Sequence, residues 1–536
     1  MAEEPKDYRR WFDTGDGMRP VTANNRASFF ITGEPFFRDL GERLVNEAGK
    51  DAVAYFLGWA FDNPVLRPGR NRTTVRQILS HFDSQGGLVR SMLWDNTLRG
   101  NPGTTETTKF IAGLSHGAAI LDRRTPLAGS HHQKVQIVVS GPRAKVPGQV
   151  VGYCGGMDVY HDRIGSNALH DVQCKVLGDA GNELIQVFTD RWYDHPQGGS
   201  VPLPPIRPQD PKTGTDLVQV CCTYPRFENP PQYRFLLQRF GKVLDYVLAA
   251  AKKSPPGDMS DGGEVRFYDF YDPEKGVQQI GRAVAKAIKE AKQYIYLEDQ
   301  YLVHAWIGKA LAAKLASADE NFRIVILVPH PNTADIEQVW RRRRDVLKPL
   351  LVADPLQKRW QVLVRRTDRP FSYVHSKTWI FDDELVITGS ANADRRGYTY
   401  NSETNVVVAG DLTGDRRSSF GAKTVAQELR CRLFAKHLGE TPRHYLDPRR
   451  ALARWSVPFH QFTGPRGRTN VAVFNQYEKA DRPDALAKDL REIAAKGDAA
   501  GKKAAEVLTF IESQGTSLEN WLWDNLEDPD AKVPNP

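Results

Sequence analysis

Two stretches of this chain, SHHQKVQIVV (130–139) and YVHSKTWIFD (373–382), each run His-x-Lys into an apolar segment, and each holds the same place in a longer order of elements. In the first half, Phe37, Leu40 and Leu44 recur at helical spacing. AVAYFLGWAFD (52–62) and LVRSMLW (88–94) then read as buried strands, and the His-x-Lys strand follows. In the second half, Val277, Ile280, Val284 and Ile288 mark one helix face, YIYLEDQYL (294–302) and FRIVILVPH (322–330) read as strands, and the second His-x-Lys strand follows. Each then has a hairpin partner ending in small residues, VVGYCGGMD (150–158) or LVITGSAN (385–392). The order repeats with little identity, which predicts duplicated halves rather than a short-period solenoid. Strands this apolar need cover on both faces, so an α/β architecture is expected.

At 536 residues the chain exceeds what one core serves, and DHPQGGSVPLPPIRPQDPKTGTD (194–216) has no helical or alternating period. The expected division is a first half at 1–200, a linker at 201–216, a second half at 217–440 and a partly helical extension at 441–536. Within the extension, 483–514 has helical periodicity and is expected to pack across one lobe. No apolar run approaches the roughly 18 residues of a transmembrane helix. MAEEPKDYRRWF lacks the apolar core of a signal peptide, so cytoplasmic synthesis is expected, with any export left to a dedicated machine. The five cysteines form no CxxC pair, which argues against a zinc site or a disulfide framework. A net charge of +8 favours an anionic partner: a lipid surface, nucleic acid or a phosphate-bearing substrate. Arg341–Arg344 is the densest basic run, and it reads as a solvated helix face or a binding patch.

Residues two apart in a strand share a face, so His132 projects beside Lys134 and His375 beside Lys377. Phosphodiester cleavage needs a nucleophile, an acid for the leaving oxygen and fixed positive charge around the non-bridging oxygens. Two such half-sites brought together supply all three. One imidazole attacks phosphorus, the other protonates the departing alcohol, and the lysines stabilise the accumulating charge. Either histidine could take either part by this symmetry.

The full second pattern is His375-x-Lys377-x4-Asp382-x6-Gly389-Ser390-x-Asn392. With HHQK...CGGMDVYHDR (131–163), HDVQCKVLG (170–178), YLEDQYL (296–302), NSETN (401–405) and ELRCRLFAKHLG (428–439), the chain resembles the phospholipase D superfamily, closest in flavour to phospholipases D proper. The resemblance implies two similar α/β/α sandwich halves with mixed sheets, related by a pseudo-twofold axis, and one active site at their interface. By similarity, His132 is the nucleophile that forms a phosphohistidine, and His375 is the general acid and then base. Glu403 pairs with His132 and Asp171 with His375. Lys134, Lys377 and Asn392 hold the phosphate, with Gly156, Gly389 and Ser390 allowing close approach. Asp382 serves the hairpin turn, and His131 is structural.

Two positions depart from the family pattern. Val139 stands where the first motif's aspartate belongs, and its hairpin carries the insertion SGPRAKVPGQ (140–149). Asp158 stands opposite Asn392 in the repeat, so its charge must be turned from the phosphate or hydrogen-bonded.

The resemblance implies metal-independent release of a headgroup alcohol from a phospholipid, leaving phosphatidic acid, with transphosphatidylation as a side activity and no cofactor. A nuclease, a phosphatidyltransferase of lipid synthesis and a non-catalytic lipid binder are the competing readings. A monomer acting on a phospholipid membrane surface and an anionic substrate is expected, with no obligate nucleic acid. Membrane contact is assigned to basic and aromatic loops such as GYTYN (397–401).

Overall fold

The computed structural model describes residues 7–67, 72–95, 101–122, 124–125, 129–165, 167–226, 270–272, 275–330, 337–366, 373–455, 471–473, 491–513, 515 and 517. The first half supplies β1 (Val21–Ile31), β2 (Val53–Gly58), β3 (Val65–Arg67), β4 (Thr73–Thr74), β5 (Leu88–Trp94), β6 (Gly117–Asp122), β7 (Val135–Val139), β8 (Val150–Gly155) and β9 (Val172–Gly178). The rest supplies β10 (Asp216–Tyr224), β11 (Val277–Gln278), β12 (Tyr294–Asp299), β13 (Arg323–Val328), β14 (Trp360–Arg365), β15 (Lys377–Phe381), β16 (Leu385–Gly389), β17 (Glu403–Ala409) and β18 (Val471–Val473).

Among the described residues, sixteen of these strands form one mixed sheet, and β3 pairs separately with β4. From the central pair β1 and β10, the sheet runs outward as β9, β8, β7, β2, β5, β6 on one side. On the other it runs β17, β16, β15, β12, β13, β14, ending in β18. The directions match step for step: antiparallel as far as β2 or β12, then parallel through β5 and β6 or β13 and β14. The sheets of the two halves are therefore continuous, joined edge to edge where β1 pairs antiparallel with β10.

Burial explains why these segments are strands. β2, β8, β12, β15 and β17 are buried at every position, as expected of central strands covered on both faces. One core spans both halves on a single face, under the helices Asp179–Asp194 and Val425–Leu438. Two further cores cover the other face, one per half. Residues 201–215 of the linker carry no regular structure. The extension packs through Tyr445, Leu452, Trp455 and Val471 into the shared core, and a helix runs over Ala499–Ser513, while 483–490 lies outside the described residues. The N-terminal turn Tyr8–Trp11, although it precedes the first half in sequence, belongs to the second half's core. Trp11 is fully buried there, and its indole and Arg10 both donate to Glu384.

Two strand ends position the site. β12 stops at Asp299 because that carboxylate accepts the N–H groups of Tyr301 and Leu302 and turns the chain, with Leu302 at φ +49°. β2 stops at Gly58, and here the N–H groups of Trp59 and Ala60 go to Asp158, the residue past the β8 hairpin. The same turn is capped by an acid from a different strand in each half.

Candidate active site

His132 and His375 sit just before β7 and β15, and each is held from the opposite half. His132 N donates to Ser402 O (2.9 Å) and Ser402 N donates to Ser130 O (3.0 Å). In the mirrored arrangement, His375 N donates to His170 O (2.8 Å) and His170 N donates to Tyr373 O (2.8 Å). These short parallel bridges place both histidines at the seam.

The residues following the two anchors are the carboxylates. His132 Nδ1 lies 3.0 Å from both Glu403 Oε1 and Oε2, and His375 Nδ1 lies 2.7 Å from Asp171 Oδ2. A carboxylate accepts, so each Nδ1 carries the proton and each Nε2 keeps its lone pair. The carboxylates are fully buried, whereas the histidine side chains retain 13% and 10% exposure, so it is the imidazoles that a ligand reaches.

Lys134 Nζ donates to His132 O (2.9 Å) and pairs with Asp158 (3.3 Å). Lys377 Nζ donates to His375 O and to Gln300 Oε1 (2.7 Å). Asp158 is thus doubly committed, to the Trp59 turn and to Lys134, with Arg163 3.8 Å away, which answers the charge problem posed by its position. Burial pulls Lys377 down to about 8, with Asp171 opposing and Lys134 adding to the fall; burial likewise lowers Lys134.

Two glycines make room for side chains of the neighbouring strand rather than for an open cradle. A Cβ on Gly156 would lie 2.1 Å from Asp171 Oδ1, and one on Gly389 would lie 2.1 Å from Asn405 Oδ1. Ser390, expected on the phosphate, is fully buried; its hydroxyl donates to Glu403 Oε2 at 2.5 Å and accepts from Thr404 N at 3.0 Å. The correction has a simple cause: the position after the hairpin glycine faces the opposing carboxylate in both halves, and Gly156 occupies it in the first. Asn392 ends the second hairpin, nearly buried, with Oδ1 lacking a hydrogen-bond partner among the described residues. Asp382 lies away from the seam at the far end of β15, at φ +54°. It accepts from Lys292, Gln293 and Tyr294 N–H (2.6, 2.8 and 2.8 Å), so its place is in the turn. Val139 instead continues the ladder opposite Val53, and residues 140–149 make the longer turn.

Burial lowers His132, with Glu403 opposing. His375 falls further, driven by burial and then by Lys377, Arg163, Lys134 and His132. Both imidazoles are thereby held toward the neutral form. The two carboxyls diverge. Burial pushes Asp171 up to about 6. Burial also pushes Glu403 up, but His132, Lys134 and Ser390 outweigh it and hold the group below the usual range.

Several participants carry no motif signal of their own. Trp59 and Trp94 pack against each other at a tilt, with the Trp59 ring centroid 6.4 Å from His132 and 5.9 Å from the Lys134 ammonium. Gln300 links Lys377 to the Tyr373 hydroxyl. Gln173 and Asn405 each cap a hairpin-end N–H, that of Met157 or Ala391, at 3.1 Å. The repeated acid-x-amide spacing, Asp171-x-Gln173 and Glu403-x-Asn405, was their available signal. Arg343 is fully buried and donates to the carbonyls of Gln300, Tyr301 and Pro329, so it is no part of a basic patch. Tyr398 and Tyr400 of GYTYN are also buried and do not form an exposed aromatic loop.

The family described as cardiolipin synthase, PLD-like domain, matches residues 284–423, which include the whole second motif. Phospholipase D alpha 1 of Brassica oleracea var. capitata is 22% identical, over 74% of this chain and 63% of the relative. Cardiolipin synthase 2 of Staphylococcus epidermidis is 23% identical, over 72% of this chain and 65% of the relative. The chain belongs to the phospholipase D superfamily. It spans a little under two thirds of the length of these relatives. A solved phosphatidylserine synthase from Haemophilus influenzae Rd KW20 shares the superfamily fold at a TM-score of 0.51 and 10% identity, covering 95% of this chain and 99% of that one. Its paired motifs lie in one polypeptide.

Proposed function

We propose that this protein is a phospholipase D: it cleaves the headgroup phosphodiester of a phospholipid through a phosphohistidine on His132, releasing the alcohol and then phosphatidic acid. The observation that carries the reading is the crossed pairing of His132 with Glu403 and of His375 with Asp171 beside two buried lysines. The lipid substrate is supported by the relatives, a phospholipase D and a cardiolipin synthase.

In this mechanism neutral His132 Nε2 attacks phosphorus while Glu403, ionised and already accepting from Ser390 and Asn401, balances the charge that forms on the ring. That support favours His132 over His375 as nucleophile. Lys134 and Lys377 offset charge on the non-bridging oxygens, with Asn392 as a further donor. His375 is held neutral by burial first, and then by the positive charges of Lys377, Arg163 and Lys134. An arriving phosphodiester anion cancels part of that field, so the ring takes up a proton with the substrate and gives it to the leaving oxygen. It then removes a proton from water, which displaces His132 from phosphorus. The lysines supply the positive charge, so the step calls for no metal. Trp59 and Trp94, half-buried beside His132, offer apolar surface to the lipid at the mouth.

Transfer to an alcohol acceptor in place of water is the second reading, favoured by the cardiolipin synthase family match. Nucleic acid is less favoured, since Arg343 of the basic run is spent on internal carbonyls. The test is a headgroup-release assay on mixed phospholipid vesicles with chelator present, with and without glycerol, comparing the wild type with His132→Ala and His375→Ala. Phosphatidic acid from the wild type alone supports hydrolysis, and a phosphatidyl-glycerol product supports transfer. Cleavage of single-stranded DNA without headgroup release overturns the lipid reading.

A further inference from the structure

Behind the second histidine lies a fully buried chain of polar groups to which the reaction above assigns no part. Glu298 on β12 accepts from His170 Nε2 at 2.7 Å, from His437 Nε2 at 2.8 Å and from the Tyr296 hydroxyl at 2.6 Å. His437, on the helix Val425–Leu438, accepts at Nδ1 from Arg365 Nη1 at 2.9 Å. All four side chains of the Glu298, His170, His437 and Arg365 set are essentially without exposure.

Two histidines and a carboxylate within 4.8 Å resemble a metal site, but the hydrogen bonds argue otherwise. Arg365 has no acceptor atom, so His437 Nδ1 must hold the lone pair, and Nε2 carries the proton given to Glu298. His170 Nε2 likewise carries the proton given to Glu298. Both nitrogens facing the carboxylate are therefore donors, as in a closed hydrogen-bond chain.

What the chain does hold is His170. Its side chain comes from the first half and is locked into the second by Glu298, while its main chain makes both bonds that suspend Tyr373 and His375. The next residue is Asp171, the partner of His375 Nδ1. One anchored residue thus sets the backbone and the side-chain contact of His375 together. The corresponding residue in the other half is Ser402, whose buried Oγ has no hydrogen-bond partner among the described residues. The device serves one histidine only.

We propose that Glu298, through His170, is a positioning residue for the acid–base function of His375, acting across the seam without touching substrate. This rests on the roles proposed above for the two histidines. A displacement of His375 of about 1 Å costs on the order of 10²-fold in steps that need its proton. It costs little in a step that needs none.

The test separates these steps. The dioctanoyl phosphatidyl esters of ethanol and of 4-nitrophenol are compared in wild type and Glu298→Gln by rapid quench. Nitrophenolate leaves without a proton, whereas ethanol needs the acid. The expected result is a nitrophenol burst within about 3-fold of wild type, with ethanol release and steady-state turnover down about 30-fold or more. Equal loss in burst and turnover, or no loss in either, overturns the proposal. Should Glu298→Gln not fold, Tyr296→Phe removes a single donor from Glu298 and is expected to show the same selective pattern at about 3- to 10-fold. Wild type that releases neither alcohol sinks the phospholipase D reading itself, which is a different outcome from a wild type that turns over both and a variant that loses them equally.

Discussion

Glu403 holds the Nδ1 proton of His132 from the opposite half of the molecule, with both carboxylate oxygens at 3.0 Å. Neither half owns a complete histidine–carboxylate pair, because each supplies the imidazole for one pair and the acid for the other. Replacing Glu403 by Gln keeps the shape but removes the charge that stabilises the ring as it bonds to phosphorus. By analogy with loss of the orienting carboxylate in a hydrolase triad, turnover is expected to fall by about 10³- to 10⁴-fold. Acid-quenched phosphoenzyme, measured with radiolabelled substrate, should disappear along with headgroup release. Retention of a full phosphoenzyme signal in Glu403→Gln would assign the nucleophile to His375.

Asp382 belongs to the motif by spacing and to the turn by geometry. It takes three main-chain N–H groups that precede and begin β12, far from the seam. Asp382→Ala leaves those donors unmatched in a nearly buried place, costing about 3 kcal/mol of stability. Denaturant midpoints should shift down accordingly, while turnover per folded molecule at low temperature stays within about 3-fold of wild type. A large loss of turnover in fully folded Asp382→Ala would contradict a purely structural part.

The succession of strands along the chain was legible because unbroken apolar runs flanked by His-x-Lys leave few other readings, whereas their order in one continuous sheet was not. The end of YIYLEDQYL was not legible: the strand stops at Asp299, short of the expected 302, because Asp299 caps its own turn. The crossing of carboxylates was not legible from spacing, since nothing local links Glu403 to a histidine 271 positions away; it came from the family resemblance. Ser390 was misplaced for a related reason. A serine after a hairpin glycine looks like part of a phosphate cradle until the opposing strand β17 delivers Glu403 onto it. Arg343 failed likewise: a run of four arginines reads as a surface, and only the folded approach of the Gln300 and Tyr301 carbonyls reveals an internal use.

Lys377 sets an alkaline limit. Its ammonium is lowered to about 8 by burial. Below that pH the group is charged and attracts the phosphodiester; above it the charge is lost and binding weakens. In the free enzyme kcat/KM is expected to decline as pH rises through about 8, driven by KM. A bound anion favours the charged form, so the corresponding limb of kcat lies at higher pH. Lys377→Arg, which does not deprotonate in this range, should flatten the KM limb even if its rate is lower. An unchanged limb in that variant would move the titration to another group.

Ser390 offers a test in which two roles give opposite kinetics. A serine that binds the phosphate of both ground and transition state would, on removal, raise KM with little effect on kcat. A serine that holds Glu403 acts only as charge develops on His132, so its removal lowers kcat and leaves KM alone. The hydroxyl lies 2.5 Å from Glu403 Oε2 and is fully buried, which selects the second case. A hydrogen bond to a buried carboxylate contributes about 1.5–3 kcal/mol, so Ser390→Ala should lose roughly 10- to 100-fold in kcat. Ser390→Thr, which keeps the hydroxyl, should recover part of that loss where its extra methyl fits. Because Gly156 stands in the equivalent place against Asp171, no hydroxyl there supports the second histidine's acid. The Ser390→Ala loss should therefore extend equally to a nitrophenyl ester, since attack by His132 is impaired whatever group departs.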